Sequence, residues 1–345
     1  MANFATSDLT AAQAKLTGAF ANQEVRFRTP VTHLEFLRQS SIMLPSYEEL
    51  RKREDRVIDT FFTDRVSRAL GSERIFNHAG TKGTSTKFTP SWLTNTDKFA
   101  ISLKQGDQNM FDNSEMLAQE MQNVMVNMIE GMDADAESHI FSNRSTENLA
   151  TQQGTFEATD HHFAITEATE GDRAIQITQT VMDTNKFSGP VTLFCDSISH
   201  DKFEKQRFQG AGNAENLTFQ FNNNVKIVHS LGMDAFAAGL ATPVTKGFWI
   251  AVVDGTICAL PWIPKQNRAG IITNVNQYGS IINPIDGLTL ATHSYNARAD
   301  ESGTNGFQQD VRTEWEVSVD VALDNAPFNF TGSEPTSSLL AFGLV

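Results

Sequence analysis

The chain has 345 residues, 40% of them hydrophobic, a formal net charge of −14 and two cysteines. That is enough apolar material for a large core in one to three domains, which argues against wholesale disorder. Two cysteines exclude a disulfide framework, and no apolar run approaches the roughly 18 residues of a membrane span. The opening stretch, MANFATSDLTAAQAK, has no basic region followed by an apolar one, so no signal peptide is expected. Cys195 and Cys258 lie in apolar, strand-like runs and are expected to be buried thiols in a reducing compartment. Charge is uneven: residues 1–110 carry 15 Lys/Arg against 12 Asp/Glu, and residues 111–345 carry 12 against 29. Tight DNA binding by so acidic a chain is disfavoured, because neutralising phosphates needs a basic surface. A mildly basic front suits contact with an acidic surface on another copy or with nucleic acid, and the imbalance is equally what solubility alone would give.

Residues 1–45 mix small and polar residues with isolated apolar ones and read as a largely extended arm, with a short helix near Leu9–Phe20. Arg26, Arg28 and Arg38 make the arm cationic. An arm of that length offsets its ordering entropy only by docking on something. Ser46 and Glu49 form a capping-box pattern for a helix over 46–71, with Leu50, Val57, Ile58, Phe61, Phe62, Val66 and Leu70 on one face. Residues 72–111 hold two strand-like runs, Thr84–Leu93 and Lys98–Lys104, with Asn95, Thr96 and Asp97 as the turn between them. An isolated two-stranded ribbon is marginal in water, so a projecting one needs a neighbour.

A long helix is predicted over Asn113–Asn143. Leu117, Met121, Val124, Met125, Met128, Met132, Ala136 and Ile140 recur at spacings of three and four. At 1.5 Å per residue the rod is about 45 Å long, against three turns for an ordinary helix. Its methionine stripe is core-forming, and unbranched Met side chains also repack easily against varied neighbours. Beyond it come a helix near Arg173–Thr184, a strand Val191–Phe194, a short helix capped by Asp196 or Ser197, and a strand Val225–His229. Phe248–Val253 and Thr256–Leu260 flank Asp254 and Gly255, a hairpin signal. The remainder is β-rich, with long strands at Leu288–Tyr295 and Thr313–Leu323.

Catalytic chemistry is sparse. Asp160, His161 and His162 form a DHH triplet of the kind that binds metal in some phosphoesterases, but no companion Asp-rich motifs follow strands upstream. Cys195 and His200 are near in sequence, with only a helix start to activate the thiol. Asp133, Asp135 and Glu137 read as a solvated helix face. No P-loop, HExxH, GxSxG or zinc spacing occurs. No catalytic, cofactor-binding or metal residue is assigned, and the chain is expected not to be an enzyme.

The order of elements resembles the major capsid proteins of tailed phages, the Hong Kong 97-like fold. An arm, an extended loop, a long helix and the segment GPVTLFCDSISHDKFEKQRFQ carry the resemblance, which covers nearly the whole chain as architecture. It implies an α+β fold with an N-terminal arm (1–45), a first helix (46–71), an extended β-hairpin loop (72–111), a peripheral domain with the spine helix (112–188), an axial domain (189–287) and a β-rich return to the peripheral domain (288–345). The helix over 46–71 is longer than the family leads one to expect. The implied function is a structural subunit that self-assembles, as hexamers and pentamers, into the icosahedral shell enclosing a double-stranded DNA genome. Implied partners are further copies of the chain, with scaffolding, portal and decoration proteins; packaged DNA would be met weakly and non-specifically, and no membrane. Its place would be the virion, after assembly in the host cytoplasm. Some members cross-link subunits through a loop lysine. Lys82, Lys87, Lys98 and Lys104 are open to that role, so the candidate assembly contacts are Arg26, Arg28, Arg38 and these four. The alternatives are an encapsulin-type nanocompartment shell and a cytosolic metal-dependent phosphoesterase built on Asp160, His161 and His162.

Overall fold

The computed structural model describes residues 6–21, 29–44, 46–56, 60–63, 71–72, 74, 80, 82–83, 85–102, 113–147, 154–209, 225–273, 275–300, 309–326 and 335–345. In chain order the elements begin with helices α1 (Thr6–Ala21), α2 (Val31–Met43) and α3 (Tyr47–Arg51). Strands β1 (Thr60–Thr63), β2 (Ser85–Phe88) and β3 (Trp92–Ser102) precede the long helix α4 (Asn113–Ser142). Then come β4 (Thr155–Glu157), β5 (His162–Ile165), α5 (Ala174–Thr184), β6 (Val191–Cys195), α6 (Ser197–Gln209), β7 (Val225–His229) and α7 (Gly232–Ala238). The chain closes with β8 (Phe248–Val253), β9 (Ile257–Trp262), α8 (Lys265–Ala269), β10 (Asn276–Ile282), β11 (Thr289–Asp300), β12 (Gln309–Asn325) and β13 (Leu339–Leu344).

Two sheets organise the molecule. The first is antiparallel and built on β12, whose 17 residues pair with β3 along one edge and with β11, then β9, end to end along the other. β10 extends it beyond β11. α4 lies against β3 and β12 and buries Leu117, Met121, Val124, Met125, Met128, Ile129, Met132, Ala136 and Ile140, each at most 3% exposed. Alternation in β12 does the rest: Trp315, Val317, Val319 and Val321 are all buried in the same core. The second sheet is mixed, in the order β4-β5-β13-β8-β6-β7. α5 covers it through Ile177, Val181 and Met182, with Phe203, Trp249 and Phe342 at its centre. Trp249 Nε1 donates to Thr178 Oγ1 at 3.1 Å, which satisfies the one polar atom of that ring.

Four expectations need correction. The arm carries the expected helix near Leu9–Phe20 as α1, but Val31–Met43, expected to be extended, forms a second helix, α2. α1 packs on α4 through Ala12 and Leu16, and α2 packs on β9 and α4. Secondly, the helix expected over 46–71 ends at Arg51. The carbonyls a continuing helix would use are taken by tertiary partners. Trp262 Nε1 and Arg268 donate to Arg53 O at 2.9 and 2.6 Å, and Trp92 Nε1 donates to Arg56 O at 3.1 Å. The aromatic and β-branched run Thr60–Thr63 then forms a strand.

Thirdly, the runs Thr84–Leu93 and Lys98–Lys104 do not pair with each other as a hairpin. β1 pairs with β2, Thr60 opposite Phe88, and residues 64–84 connect them. Asn95, Thr96 and Asp97 lie mid-strand in β3, opposite Val319, Ser318 and Val317. Their side chains find sheet-compatible partners: Asp97 accepts from Asn127 Nδ2 of α4 at 3.1 Å, and neighbouring Thr94 donates to Asp320 at 2.6 Å. A long template strand overrides turn propensity. Fourthly, β8 and β9 do not pair. Asp254 and Gly255 (φ 83°) make the turn that carries the chain from one sheet to the other. The return segment also splits: β11 and β12 join the first sheet, but β13 enters the middle of the second.

Candidate assembly surface

The docking of α2 is a polar junction. Its inward face is Thr32, His33, Glu35, Gln39 and Ser40, all buried, beside Phe36. Glu35, 2% exposed, accepts hydrogen bonds from Arg38 (Nε, 2.8 Å), Gln39 (3.0 Å) and Thr192 (3.3 Å) and is salt-bridged to Lys226 of β7. Asp254 of the β8–β9 turn closes the network, accepting from Arg38 at 2.7 Å and Thr192 at 2.7 Å. Burial alone would raise the Glu35 carboxyl, but the donors Arg38, Gln39 and Lys226 outweigh it and hold it at about 2. Ser40 Oγ accepts from the Ala259 amide at 2.9 Å, and Gln39 Oε1 from the Gly255 amide at 2.9 Å. The helix thus satisfies backbone groups that the end of β9 leaves open.

The N-terminal end of α2 rests on α4. Asp133 accepts the His33 amide at 2.9 Å, and Glu137 accepts from Ser230 Oγ at 2.7 Å, which in turn accepts from Thr32 Oγ1 at 3.2 Å. Asp133 and Glu137 are 1% and 3% exposed, so the solvated acidic face expected there is corrected. A helix start offers unpaired amides and the positive end of its dipole, and carboxylates complement both.

The candidate contacts fall on separate elements. Arg38 belongs to the Glu35 network and is already committed within the subunit. Lys98 pairs with Glu316 at 3.2 Å across the β3–β12 ladder and stays exposed. Lys87 is on β2 and Lys82 in the β1–β2 connection, both exposed. Arg26, Arg28 and Lys104 lie outside the described residues. Sequence reasoning missed Glu35, Lys226 and Asp254, which lie as much as 219 positions apart and carry no local motif.

The catalytic alternatives dissolve into structural roles. Asp160 accepts the Ala241 and Thr242 amides at 2.8 and 2.9 Å, and Arg144 donates to its carbonyl. Burial works against its ionised form, yet the two amides keep the carboxyl below the usual value. His162 is buried in β5 and lowered by that burial, and His161 turns the chain with φ 53°. Burial raises the Cys195 thiol well above the ordinary range, the opposite of an activated nucleophile. Asp196 caps α6 by accepting the Ser199 amide at 2.7 Å. No cluster of three or more metal-ligating side chains occurs among the described residues, and no helix there is long and apolar enough to cross a membrane.

No known family model and no curated protein sequence matches the chain. In structure it is similar to the capsid asymmetric unit of cyanophage Pam1, at 11% identity and TM-score 0.48, covering 86% of this chain and 87% of that one. It is also similar to a chain from Mycobacterium phage Bobi, at 9% identity and TM-score 0.48, covering 93% and 92%. A third similar structure is the mature capsid asymmetric unit of bacteriophage PhiM1, at 11% identity and TM-score 0.44, covering 84% and 82%.

Proposed function

We propose that this chain is a structural shell subunit, the major capsid protein of a tailed phage, which assembles with copies of itself around a double-stranded DNA genome. The observation that carries the reading is the β1–β2 ribbon. It forms a two-stranded sheet of its own and joins neither large sheet. Such a ribbon gains little by itself and is stabilised by packing on a neighbour. A heterologous contact of that kind, ribbon to body, closes into rings, and rings tile a shell. The rigid α4, backed by a five-stranded sheet, supplies a frame that transmits contacts without bending.

On this reading the first sheet with α4 is the peripheral part and the six-stranded sheet the axial part. Lys82 and Lys87 travel with the ribbon to the neighbouring copy. Scaffolding, portal and decoration proteins are the further partners, with assembly in the host cytoplasm. A net charge of −14 keeps packaged DNA from binding tightly to the shell.

The test is electron microscopy and sedimentation of the purified full chain beside a variant with residues 60–88 replaced by a short Gly/Ser linker. The full chain, supplied with its scaffold if one is encoded beside it, should give closed shells, rings or tubes. The variant should be folded by circular dichroism and fail to form stable particles. Equally stable particles from the variant would overturn the role of the ribbon.

A further inference from the structure

Beneath the start of α2 lies a second polar group, distinct from the Glu35 network. His33 Nε2 and Asp286 Oδ2 are 3.9 Å apart, and both side chains are 0% exposed. Neither His33 ring nitrogen and not Asp286 Oδ2 has a hydrogen-bond partner, nor has Nδ2 of the buried Asn283 beside them in sequence. Asp286 is placed by the tight turn 283–288: its Oδ1 accepts the Leu288 amide at 2.9 Å, and the Asn283 and Gly287 amides close the turn. An acid and a base buried together out of reach of bulk solvent tolerate only the uncharged total, which is one proton between them.

We propose that His33 and Asp286 form a one-proton pair, a latch whose engagement leaves docking of the α2 end indifferent to pH across the mildly acidic range. Burial lowers His33 to about 4 and raises Asp286 to about 6, so the docked pair keeps one proton between those values. Undocked, with ordinary values of 6.5 and 3.8, the pair also keeps one. Docking therefore moves a proton from histidine to aspartate and neither takes up nor releases one. The charged groups around the pair are Asp133, which accepts the His33 amide, Glu137 next along α4, His139, edge-on to Phe36 at 5.9 Å, and Glu35 on α2. Glu35 titrates lower, and His139 is lowered by burial to about 4.

The signs for single variants are opposite. With Asp286→Asn only His33 titrates, and its depressed value means docking weakens as pH falls below 6.5. With His33→Gln only Asp286 titrates, and its raised value means docking is strongest in acid and weakens as pH rises through 6. The experiment is hydrogen–deuterium exchange of the α2 amides in the full chain between pH 4.5 and 6.5, corrected for intrinsic exchange, with β6 and β8 as internal reference. Wild-type protection should change by less than about threefold across that window. D286N should lose roughly thirtyfold on acidification, and H33Q should gain roughly as much. The double variant D286N/H33Q should return to the wild-type profile. The latch is overturned if both single variants slope alike or stay flat, or if the wild type carries a full proton slope. It is equally overturned if α2 is unprotected in D286N at pH 7 or in H33Q at pH 4.5, where the remaining partner is neutral.

Discussion

The two helices that meet beneath the arm are held by opposite means. α4 is seated by apolar area: nine buried side chains, five of them branched or small and four of them methionine, join one core with α1, β3 and β12. α2 is seated by polar complementarity, with Glu35, Gln39 and Ser40 buried against Lys226, Asp254 and Ala259. Apolar packing is non-directional and forgives small displacements. A buried polar network stabilises only in one geometry, because each unmatched member costs about 1–3 kcal/mol. The long helix is therefore robust and the arm is specific, which suits a frame and a fastener respectively.

The sharpest way to break the contrast is a charge in each seat. Met125 is 1% exposed. Met125→Asp has no partner within the apolar seam and should cost more than about 4 kcal/mol, giving no soluble folded chain in an expression and circular-dichroism assay. A soluble variant that still forms particles would refute the packing of α4. Glu35→Gln should be milder, roughly 3 kcal/mol in urea unfolding, because Arg38, Gln39, Thr192 and Lys226 all lose the buried carboxylate they share.

The same network sets a pH dependence. The Glu35 carboxyl is held at about 2 against an ordinary 4.5, so it contributes stability above pH 4.5 and loses it as pH falls through 2. That amounts to about 3 kcal/mol by linkage, and the acid slope between those values should disappear in Glu35→Gln. An unchanged acid slope would show that Glu35 is not held by the network. The smallest effect sharpens the other side. Gly131 sits exposed in the middle of α4, and a methyl group there would meet nothing within 4 Å. Gly131→Ala should stabilise the chain by about 1 kcal/mol, read as a raised melting temperature, with particle formation unchanged.

This contrast also governs what could be read from the sequence. α4 is described over Asn113–Ser142, within a residue of the stretch its apolar spacing outlines, because a helix seated on one apolar stripe writes its period into the chain. β12 shows the same legibility through its alternation of Trp315, Val317, Val319 and Val321 with polar residues. α2 buries Thr32, His33, Glu35, Gln39 and Ser40, which read as loop residues until their partners are known. The candidate lysines were legible as charges, but nothing local distinguishes Lys98, paired with Glu316, from Lys82. Lys226, which pairs with Glu35 of the arm, sits in a strand of otherwise ordinary pattern.

By itself the sequence determined the long helix, the mixed α+β class, the strands Val191–Cys195, Val225–His229 and Phe248–Val253, and the acidic balance, since each depends on composition or on a period of a few residues. Only the tertiary structure decided which strand each strand meets. β12 drew Asn95–Asp97 into a ladder against their turn propensity, and Trp92, Trp262 and Arg268 took the carbonyls that would have extended α3. Asp254 and Gly255 became a crossing between sheets rather than a hairpin. In each case partners distant in the chain offered more hydrogen bonds and buried area than the local conformation could, and local propensities, worth at most about 1 kcal/mol, yielded to them.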